Sequence, residues 1–406
     1  MQSIIFIFAF LATFGIVAHA YAQEIQVIEW DIPTPNSAPH DIVVDKAGLV
    51  WFTEINANKI GSFDPKTEKF TEYQIPTQSS RPHGLVVDKD GYVWFTEVGA
   101  GKIGRLDPKS GDIEEYQTPT QNSGPHTPIL GNNNTLWFTE QSASKIGKMD
   151  TNTGKIAEFP TITPSANPYG IIADKQGNAW FAELQGNNIG RVDAMTGQVT
   201  EYSPITQDSG PRRIAIDSNG VLWFTQYNSG KIASFDPITE KINEYDTSLH
   251  SSGPYAIWVD LHDNVWFSMT GIYRIGKFDQ ITQSIHEYDL PSPQTHIKFI
   301  HTDEKGNVWF PNFNNNKIGV IYATIPVTIK DQTMAGSDTN NPQDSTGTEN
   351  LAYFPPPLKQ IQNGVEPSQV TCTEGLELVI KRSSGQPACI KPGSVEKLVS
   401  RGWASP

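Results

Sequence analysis

The chain has 406 residues, of which 37% are hydrophobic and 18% are charged, and its formal net charge is −14. This acidic balance argues against a nucleic-acid-binding protein, because phosphate contacts need clustered Lys and Arg. It fits an exported protein that attracts cations, without identifying a partner.

The first predicted element is an apolar run at the N terminus. Residues 4–17 are apolar, and Ala18-His-Ala20 and Ala20-Tyr-Ala22 offer small-residue cleavage sites. We expect residues 1–22 to be a signal peptide, and the protein to be secreted or at the cell surface. The alternative is an uncleaved anchor. The run is shorter than the ~20 residues of a membrane span, and no later segment qualifies, so no integral membrane span is expected after signal removal.

A Trp-Phe pair then recurs seven times with a constant spacing of 43 residues. The tryptophans are Trp51, Trp94, Trp137, Trp180, Trp223, Trp266 and Trp309. A period of about 40–45 residues, rich in short strands and turn residues, is typical of propeller blades. Within residues 81–117, four runs of β-favouring residues are separated by Asp, Gly and Pro turns. This pattern predicts a four-stranded antiparallel meander in each repeat.

A Glu-aromatic pair on the last strand of each repeat indicates how the ring closes. Six copies follow a Trp-Phe pair, and the seventh, Glu29-Trp30, precedes the first full repeat. We therefore predict an all-β fold, a seven-bladed β-propeller over residues 23–327. The N-terminal strand, about Ile25 to Ile32, should complete the last blade, because an open ring would leave an unpaired strand edge.

The composition changes after the propeller. Residues 328–352 are rich in Thr, Asp, Asn, Ser and Gly, which predicts a disordered linker. Residues 353–406 form a predicted small α+β module with a β-hairpin, a short helix and both cysteines, Cys372 and Cys389. A small core in an exported chain favours a disulfide between them. The alternative is a thiol metal site.

Equivalent positions of the seven repeats should converge at the mouth of the central channel. Eleven residues before each Trp stand His40, His83, His126, Tyr169, Arg212, Tyr255 and Lys298. Three residues after it stand Glu54, Glu97, Glu140, Glu183, Gln226, Met269 and Asn312. The first set begins the innermost strand and the second ends its antiparallel neighbour, so we expect both sets on the same face of the disc.

The two sets suggest three kinds of site residue. The histidines His40, His83 and His126 are candidate catalytic groups, since imidazole transfers protons near neutral pH. The carboxylates Glu54, Glu97, Glu140 and Glu183 are candidate ligands of Mg²⁺, or alternatively Ca²⁺, because carboxylates facing one axis repel each other without a cation. The candidate substrate-binding residues are Tyr169, Arg212, Tyr255 and Lys298. The alternative is that the Pro-His pairs are turn residues and the glutamates cap loop amides.

The repeated frame Asp-x-x-Gly, Leu-Trp-Phe-Thr-Glu, Asn-Lys-Ile-Gly and Glu-Tyr-x-x-Pro-Thr, over about residues 25–325, resembles the streptogramin B (virginiamycin B) lyase family. The resemblance implies a seven-bladed propeller and a magnesium-dependent elimination that opens the ester of a cyclic depsipeptide antibiotic. It implies a site with His from the Pro-His turns of two successive blades, a Glu before the second Pro, and a Glu just past the Trp-Phe strand.

This chain matches that pattern in part. Pro39-His40, Pro82-His83 and Pro125-His126 supply the histidines, and Glu97 and Glu140 follow their Trp-Phe pairs. The residues before the prolines are Ala38, Arg81 and Gly124 instead of Glu. The C-terminal segment resembles a small two-cysteine module of exported archaeal proteins.

Three functions are compatible with these residues. We favour a monomeric binding propeller that recognises a small-molecule or envelope ligand at the channel mouth. The alternatives are a magnesium-dependent lyase acting on an ester or lactone, and a calcium-dependent hydrolase similar to propeller lactonases.

Overall fold

A computed structural model describes residues 26–322 and, in the C-terminal part, residues 366–370, 372, 377–381, 386–390, 395, 399 and 404–405. The chain divides into two compact units, Met1–Thr328 and Ile329–Pro406. The predicted signal peptide, linker and most of the predicted module helix lie outside the described residues.

The first unit contains seven four-stranded antiparallel sheets, one for each 43-residue repeat. Blades 1 to 3 consist of β2 (Pro39–Val44), β3 (Val50–Glu54), β4 (Lys59–Asp64) and β5 (Lys69–Gln74); β6 (Pro82–Val87), β7 (Val93–Glu97), β8 (Lys102–Leu106) and β9 (Ile113–Gln117); and β10 (Pro125–Leu130), β11 (Thr135–Glu140), β12 (Lys145–Asp150) and β13 (Ile156–Pro160).

Blades 4 to 6 repeat the same meander. Their strands are β14 (Pro168–Ala173), β15 (Ala179–Glu183), β16 (Asn188–Val192) and β17 (Val199–Tyr202); β18 (Pro211–Ile216), β19 (Leu222–Gln226), β20 (Lys231–Asp236) and β21 (Lys241–Asp246); and β22 (Pro254–Val259), β23 (Val265–Met269), β24 (Arg274–Asp279) and β25 (Ser284–Asp289). A single 3₁₀ turn, His250–Ser252, lies in the connection between blades 5 and 6.

Blade 7 joins the two ends of the propeller. It consists of β26 (His301–Thr302), β27 (Val308–Asn312), β28 (Lys317–Ile321) and β1 (Val27–Asp31). The N-terminal strand β1 pairs antiparallel with β28, from Val27 opposite Ile321 to Asp31 opposite Lys317. The seven-bladed fold and its closure by the N-terminal strand are therefore confirmed.

The repeated Trp-Phe and Lys-Ile-Gly motifs pack against each other within each blade. The Trp94 indole donates a hydrogen bond to the Asp88 carboxylate of the preceding turn at 2.8 Å. The Phe95 ring is fully buried and covers Gly104, where an added Cβ would lie 2.1 Å from the ring. The close approach of the ring thus favours glycine at this position. Blade 5 has Ala233 at this position.

The Glu of the Glu-aromatic pair forms hydrogen bonds with the loop that leads into the first strand of its blade. In blade 1 the Glu72 carboxylate accepts hydrogen bonds from the backbone N–H and hydroxyl of Thr34 and from Lys59 Nζ, at 3.0, 2.7 and 2.7 Å. Blades 2 and 3 repeat the arrangement with Glu115 and Glu158. The Glu of the Glu-aromatic pair and the Lys of the Lys-Ile-Gly motif therefore have a structural role in the propeller.

The second unit contains a small three-stranded sheet. Its strands are β29 (Glu377–Lys381), β30 (Pro387–Ile390) and β31 (Ala404–Ser405), in the order β30-β29-β31, with a 3₁₀ turn at Pro367–Gln369. β29 and β30 pair antiparallel, as the predicted hairpin requires. None of the helices within the described residues is long and apolar enough to cross a membrane.

Candidate functional site

The seven residues that stand eleven positions before each Trp meet at the start of the innermost strands. We call them the axial ring, and the face on which the innermost strands begin the mouth face. Their successive rings contact each other, with centroid distances of 3.7 Å for His40–His83, 3.6 Å for His83–His126 and 3.9 Å for His126–Tyr169. The structure thus brings the predicted catalytic and substrate-binding residues into one continuous ring.

A β-bulge places the axial-ring side chains of blades 1 to 6 at the axis. In blade 1, Pro39 pairs with Glu54, the register then shifts, and pairing resumes at Ile42 opposite Phe52. A bulge of this kind adds a residue to one strand and redirects its side chains. The same shift occurs in blades 2 to 6.

The histidine half of the axial ring is buried and uncharged. His40, His83 and His126 are between 2% and 9% exposed. Burial holds the pKa of His40 and of His126 well below the usual histidine range; the next cause is Arg213 for His40, and His83 followed by Arg213 for His126. The pKa of His83 is also lowered, first by burial and then by His40. All three imidazoles are therefore neutral at neutral pH.

The other half of the axial ring is aromatic and cationic. The Arg212 guanidinium lies over the rings of Tyr255, Tyr169 and Tyr227, with distances of 3.9, 4.5 and 4.7 Å to the centroids. Lys298 Nζ lies 4.5 Å from the Tyr255 centroid. Hydroxyls of Tyr169 and Tyr255 hydrogen-bond each other. These contacts hold two positive charges beside three phenol rings.

Neither cation of this half is neutralised. Within the described residues, Arg212 and Lys298 form no salt bridge, and the buried Arg212 Nε has no hydrogen-bond partner. Burial, and then repulsion by Arg212 and Arg213, lowers the pKa of Lys298 to about 8. Lys298 is thus still mostly protonated at neutral pH.

Beneath the axial ring, a buried ion pair crosses the channel. Arg213 Nη2 lies 2.8 Å from the Asp41 carboxylate, and both side chains are 2% exposed. Arg213 Nη1 donates to the Thr127 hydroxyl at 2.9 Å, and His40 Nδ1 lies 2.8 Å from Asp41. Asp41, Thr127 and Arg213 thus connect blades 1, 3 and 5. The sequence analysis did not identify it, although it occupies the repeat position directly after the axial ring.

A second unpredicted set surrounds the mouth. These residues follow directly after the strand that carries the Trp-Phe pair: Ile55, Val98, Gln141, Leu184, Tyr227, Thr270 and Phe313. Tyr227 packs edge-on against Tyr255 with 6.1 Å between centroids, and Phe313 packs edge-on against His40 at 6.2 Å. The mouth therefore has a largely apolar rim above a polar floor. Counting one position further along each repeat would have found it.

The four glutamates lie on the mouth face but do not share one point. Each is fully buried, and both carboxylate oxygens of Glu54, Glu97 and Glu140 have no hydrogen-bond partner among the described residues. Burial first, and then the Glu115 carboxylate of the same blade, raises the pKa of Glu97 to about 8. Equivalent causes raise the pKa of Glu54 to about 7 and of Glu183 to about 8. Burial likewise raises the pKa of Glu140 to about 7.

Among the described residues, these four carboxylates do not form a grouping of close metal-ligand atoms, and the predicted metal site stays a prediction. Each ends a strand and pairs in register with a proline on one side and, in blades 1 to 3, a lysine on the other, as Glu97 does with Pro82 and Lys102. Its side chain consequently enters the cluster of that lysine and the outer glutamate. Lys59, Lys102 and Lys145 supply the nearby positive charge that was expected from a metal ion.

Among the described residues, one grouping of three His or carboxylate side chains has ligand atoms close enough to hold a metal ion. It consists of His40, Asp41 and His83, whose candidate ligand atoms lie within 4.8 Å of one another. Two imidazoles and one carboxylate already paired with Arg213 do not match the oxygen ligands that Mg²⁺ prefers. This grouping thus does not fit a magnesium ion.

Fold and site together define a class: a seven-bladed propeller with its distinctive residues on the axis, at one face. Within that class, the sequence profile of the Virginiamycin B lyase family matches residues 18–133 and 86–343. The chain therefore belongs to this family.

Solved structures of the same family superpose on most of the chain. A streptogramin B lyase structure has 33% identity and a TM-score of 0.69, covering 73% of this chain and 97% of its own. The virginiamycin B lyase from Staphylococcus aureus has 32% identity and a TM-score of 0.70, covering 74% and 100%. A catalytically inactive His-to-Ala variant of that enzyme, with quinupristin, has 31% identity, a TM-score of 0.70 and the same coverage. A comparison with curated protein sequences gives no match.

Proposed function

We propose that this protein is an exported binding propeller whose mouth holds an extracellular or envelope ligand through an anionic or carbonyl group. The observation that carries the proposal is the pair of unneutralised cations, Arg212 and Lys298, on one side of the axial ring. A buried or half-buried cation without a carboxylate is costly unless a ligand supplies the counter-charge. Acidic residues outnumber basic ones in this chain, with a formal net charge of −14, and yet no carboxylate pairs with either of these two cations among the described residues.

The aromatic and apolar rim adds a second recognition element. Tyr227 and Phe313 are half-buried and stand beside Arg212 and Lys298 respectively. Concave sites of this kind commonly combine apolar walls with a few polar groups that fix orientation. An acidic saccharide, with a carboxylate for the cations and a ring face for the aromatics, fits this arrangement.

The proposal is tested by calorimetric titration of the full chain with trigalacturonate, using uncharged maltotriose as the matched probe. We expect saturable binding of the acidic trimer and none of the neutral one. Lys298→Ala should weaken binding about tenfold, as loss of a charge-assisted contact does. Lys46→Ala is the control, because Lys46 is exposed on the turn between β2 and β3, at the opposite face.

Two results would refute this binding function. One is absence of saturable binding of the acidic trimer. The other is unchanged affinity when both Arg212→Ala and Lys298→Ala are made in a protein that still folds. Binding should also weaken as the pH rises through about 8, where Lys298 loses its charge.

A second candidate function is the elimination reaction of the family. Its support is family membership and the neutral histidines, since a neutral imidazole can accept a proton. His83 Nδ1 is buried and has no hydrogen-bond partner among the described residues, so it is the best-placed base. In such an elimination the base removes a proton from carbon, and the ester C–O bond breaks to give an alkene and a carboxylate. Magnesium remains an expectation from the family.

Incubation with quinupristin distinguishes the two candidates. Elimination linearises the depsipeptide without changing its mass, whereas hydrolysis adds the mass of water. If a lyase operates, His83→Ala and His126→Ala should each abolish linearisation, and Lys46→Ala should not. Intact quinupristin after prolonged incubation with and without Mg²⁺ would eliminate this candidate.

Export, a monomeric state and a disulfide between Cys372 and Cys389 belong to the same proposal. In the described part of the second unit, Cys389 lies on β30 opposite Leu378 of β29. Mass spectrometry of the exported protein with and without reductant tests both the cleavage at residue 22 and the disulfide. An intact N terminus or two alkylatable thiols would contradict the respective statement.

A further inference from the structure

We propose that the far end of the central channel is a separate binding site for a small uncharged molecule with a ring-sized apolar body and one carbonyl-type acceptor. The far face is the face on which the innermost strands end. The site there is distinct from the mouth, because the axial ring and the Asp41–Arg213 pair separate the two. The proposal does not depend on the function of the mouth.

A cavity of about 180 Å³ occupies this end of the channel. Its wall is formed by residues three positions after the axial ring, one from each of six blades: Val43, Val86, Ile129, Ile172, Trp258 and His301. Most of these side chains are half-buried, so the cavity is accessible from the far face. A cavity of roughly 150 Å³ with an apolar lining binds benzene, so a six-membered ring with a substituent fits here.

The inner end of the cavity is polar but carries no net charge. Asp41, Thr127 and Arg213 line it, and Asp41 neutralises Arg213 at 2.8 Å. His301 adds no charge, because burial lowers its pKa to about 4. An anionic ligand would therefore find no uncompensated cation, and its desolvation would be costly. A neutral ligand is favoured.

One buried donor remains for such a ligand. Arg213 is 1% exposed, and its two terminal nitrogens donate to Thr127 and Asp41. Its Nε–H has no partner among the described residues. Buried donors are almost always satisfied, and a carbonyl oxygen entering the cavity would satisfy this one while its ring packs against the aliphatic wall and Trp258.

The test uses ligand-observed NMR titrations of the full chain with cyclohexanone, benzene and cyclohexanecarboxylate. We expect saturable binding of cyclohexanone, and weaker binding of the carboxylate. Ile129→Phe, which fills the cavity, should weaken cyclohexanone binding at least about tenfold. Ile238→Phe is the matched control, since Ile238 is 90% exposed on an outer turn. If Ile129→Phe does not fold, Val86→Phe replaces it.

Arg213→Lys tests the acceptor contact, because lysine keeps the charge opposite Asp41 and removes the Nε–H. Cyclohexanone affinity should fall several-fold in this variant, with benzene affinity unchanged. Equal losses for both probes would overturn the assigned acceptor contact. Absence of saturable cyclohexanone binding, or unchanged binding in a folded cavity-filled variant, would overturn the site itself.

Discussion

The two halves of the axial ring occupy identical backbone positions and have opposite electrostatic character. In blades 1 to 3 the histidine rings contact each other at tilted angles, are buried, and are uncharged. In blades 5 to 7 Arg212 and Lys298 retain unpaired charges among tyrosine rings. The scaffold motifs are the same on both sides, so the difference lies in side-chain chemistry alone. At the axial ring itself, the unpaired positive charges therefore lie on one side only.

The same contrast extends to the glutamate position. In blades 1 to 4 a buried Glu stands next to the outer Glu of its blade. In blade 5 the equivalent Gln226 donates to Glu244 at 2.8 Å, and in blade 7 Asn312 donates to Glu29 at 2.9 Å. An amide gives the outer carboxylate a hydrogen bond where a second carboxylate repels it. The buried carboxyls of blades 1 to 4 are thus electrostatically unfavourable, whereas the amides of Gln226 and Asn312 avoid this repulsion in blades 5 and 7.

The largest expected effect comes from breaking the ion pair that connects the halves. Asp41→Ala leaves the Arg213 guanidinium buried without a counter-charge. Removing one partner of a buried pair costs about 3–5 kcal/mol of unfolding free energy. Urea denaturation of the full chain measures this cost.

Asp90→Ala is the control for that measurement. Asp90 pairs with Lys89, but both side chains are more than 60% exposed, at 61% and 69%. Exposed pairs contribute about 0–1 kcal/mol. Similar losses in the two variants would mean that Asp41 and Arg213 do not form the junction between the halves.

A smaller effect is expected from converting a histidine-side blade to the cationic-side pattern. Glu97→Gln should donate to Glu115 as Gln226 does to Glu244, and should stabilise the protein at neutral and alkaline pH. Since folding raises the pKa of Glu97 to about 8, the folded state binds more protons than the unfolded state above the ordinary Glu pKa of ~4.3. Wild-type stability should therefore fall as the pH rises from about 4.3 to 8 and then level off.

The variant should remove the Glu97 contribution to this dependence and leave those of Glu54, Glu140 and Glu183. The gain over wild type should be small near pH 5 and reach roughly 1–4 kcal/mol near pH 8. Urea denaturation at several pH values measures it, with Glu114→Gln as the control, because the Glu114 side chain is 57% exposed in the same blade. A gain that is equal at all pH values would show that Glu97 is ionised in the folded protein throughout.

The third effect concerns the scaffold that both halves share. Gly104→Ala would place a methyl group 2.1 Å from the Phe95 ring, and overpacking of this kind costs about 1–3 kcal/mol. Blade 5, on the cationic side, already has Ala233 beneath Phe224. Ala233→Gly should therefore cost less, about 0.5–1 kcal/mol from backbone entropy. A neutral Gly104→Ala would show that the ring shifts freely in either half.

The sequence predicted the fold well because each blade repeats one packing solution. The constant spacing fixed the strand order, and Glu29-Trp30 showed that β1 completes blade 7. The axial ring followed from the same count. The pair between Asp41 and Arg213 did not, because its members are 172 residues apart and belong to different blades. Inspection of the next repeat position would have shown only these two charged residues.

For the glutamates, the sequence was less informative for a different reason. Sequence spacing gives the strand end on which Glu97 lies, but not the direction of its side chain beside a β-bulge. The lysines opposite these strand ends were visible in the Lys-Ile-Gly motif, where Lys102 is in register with Glu97. A positive charge already in register with a carboxylate reduces the need for a metal ion.

The smallest expected effect is that of magnesium, and it tests whether the histidine half has a hidden function. A metal bound only to the folded state raises the unfolding temperature. We expect no increase with millimolar Mg²⁺, since Lys102 supplies a positive charge beside Glu97 and Glu115, and the four carboxylates form no grouping of close ligand atoms among the described residues. Zn²⁺ is the informative comparison, because His40, Asp41 and His83 offer nitrogen ligands. An upward shift with Mg²⁺ that Glu97→Gln removes would restore the carboxylate site and make the lyase the better candidate.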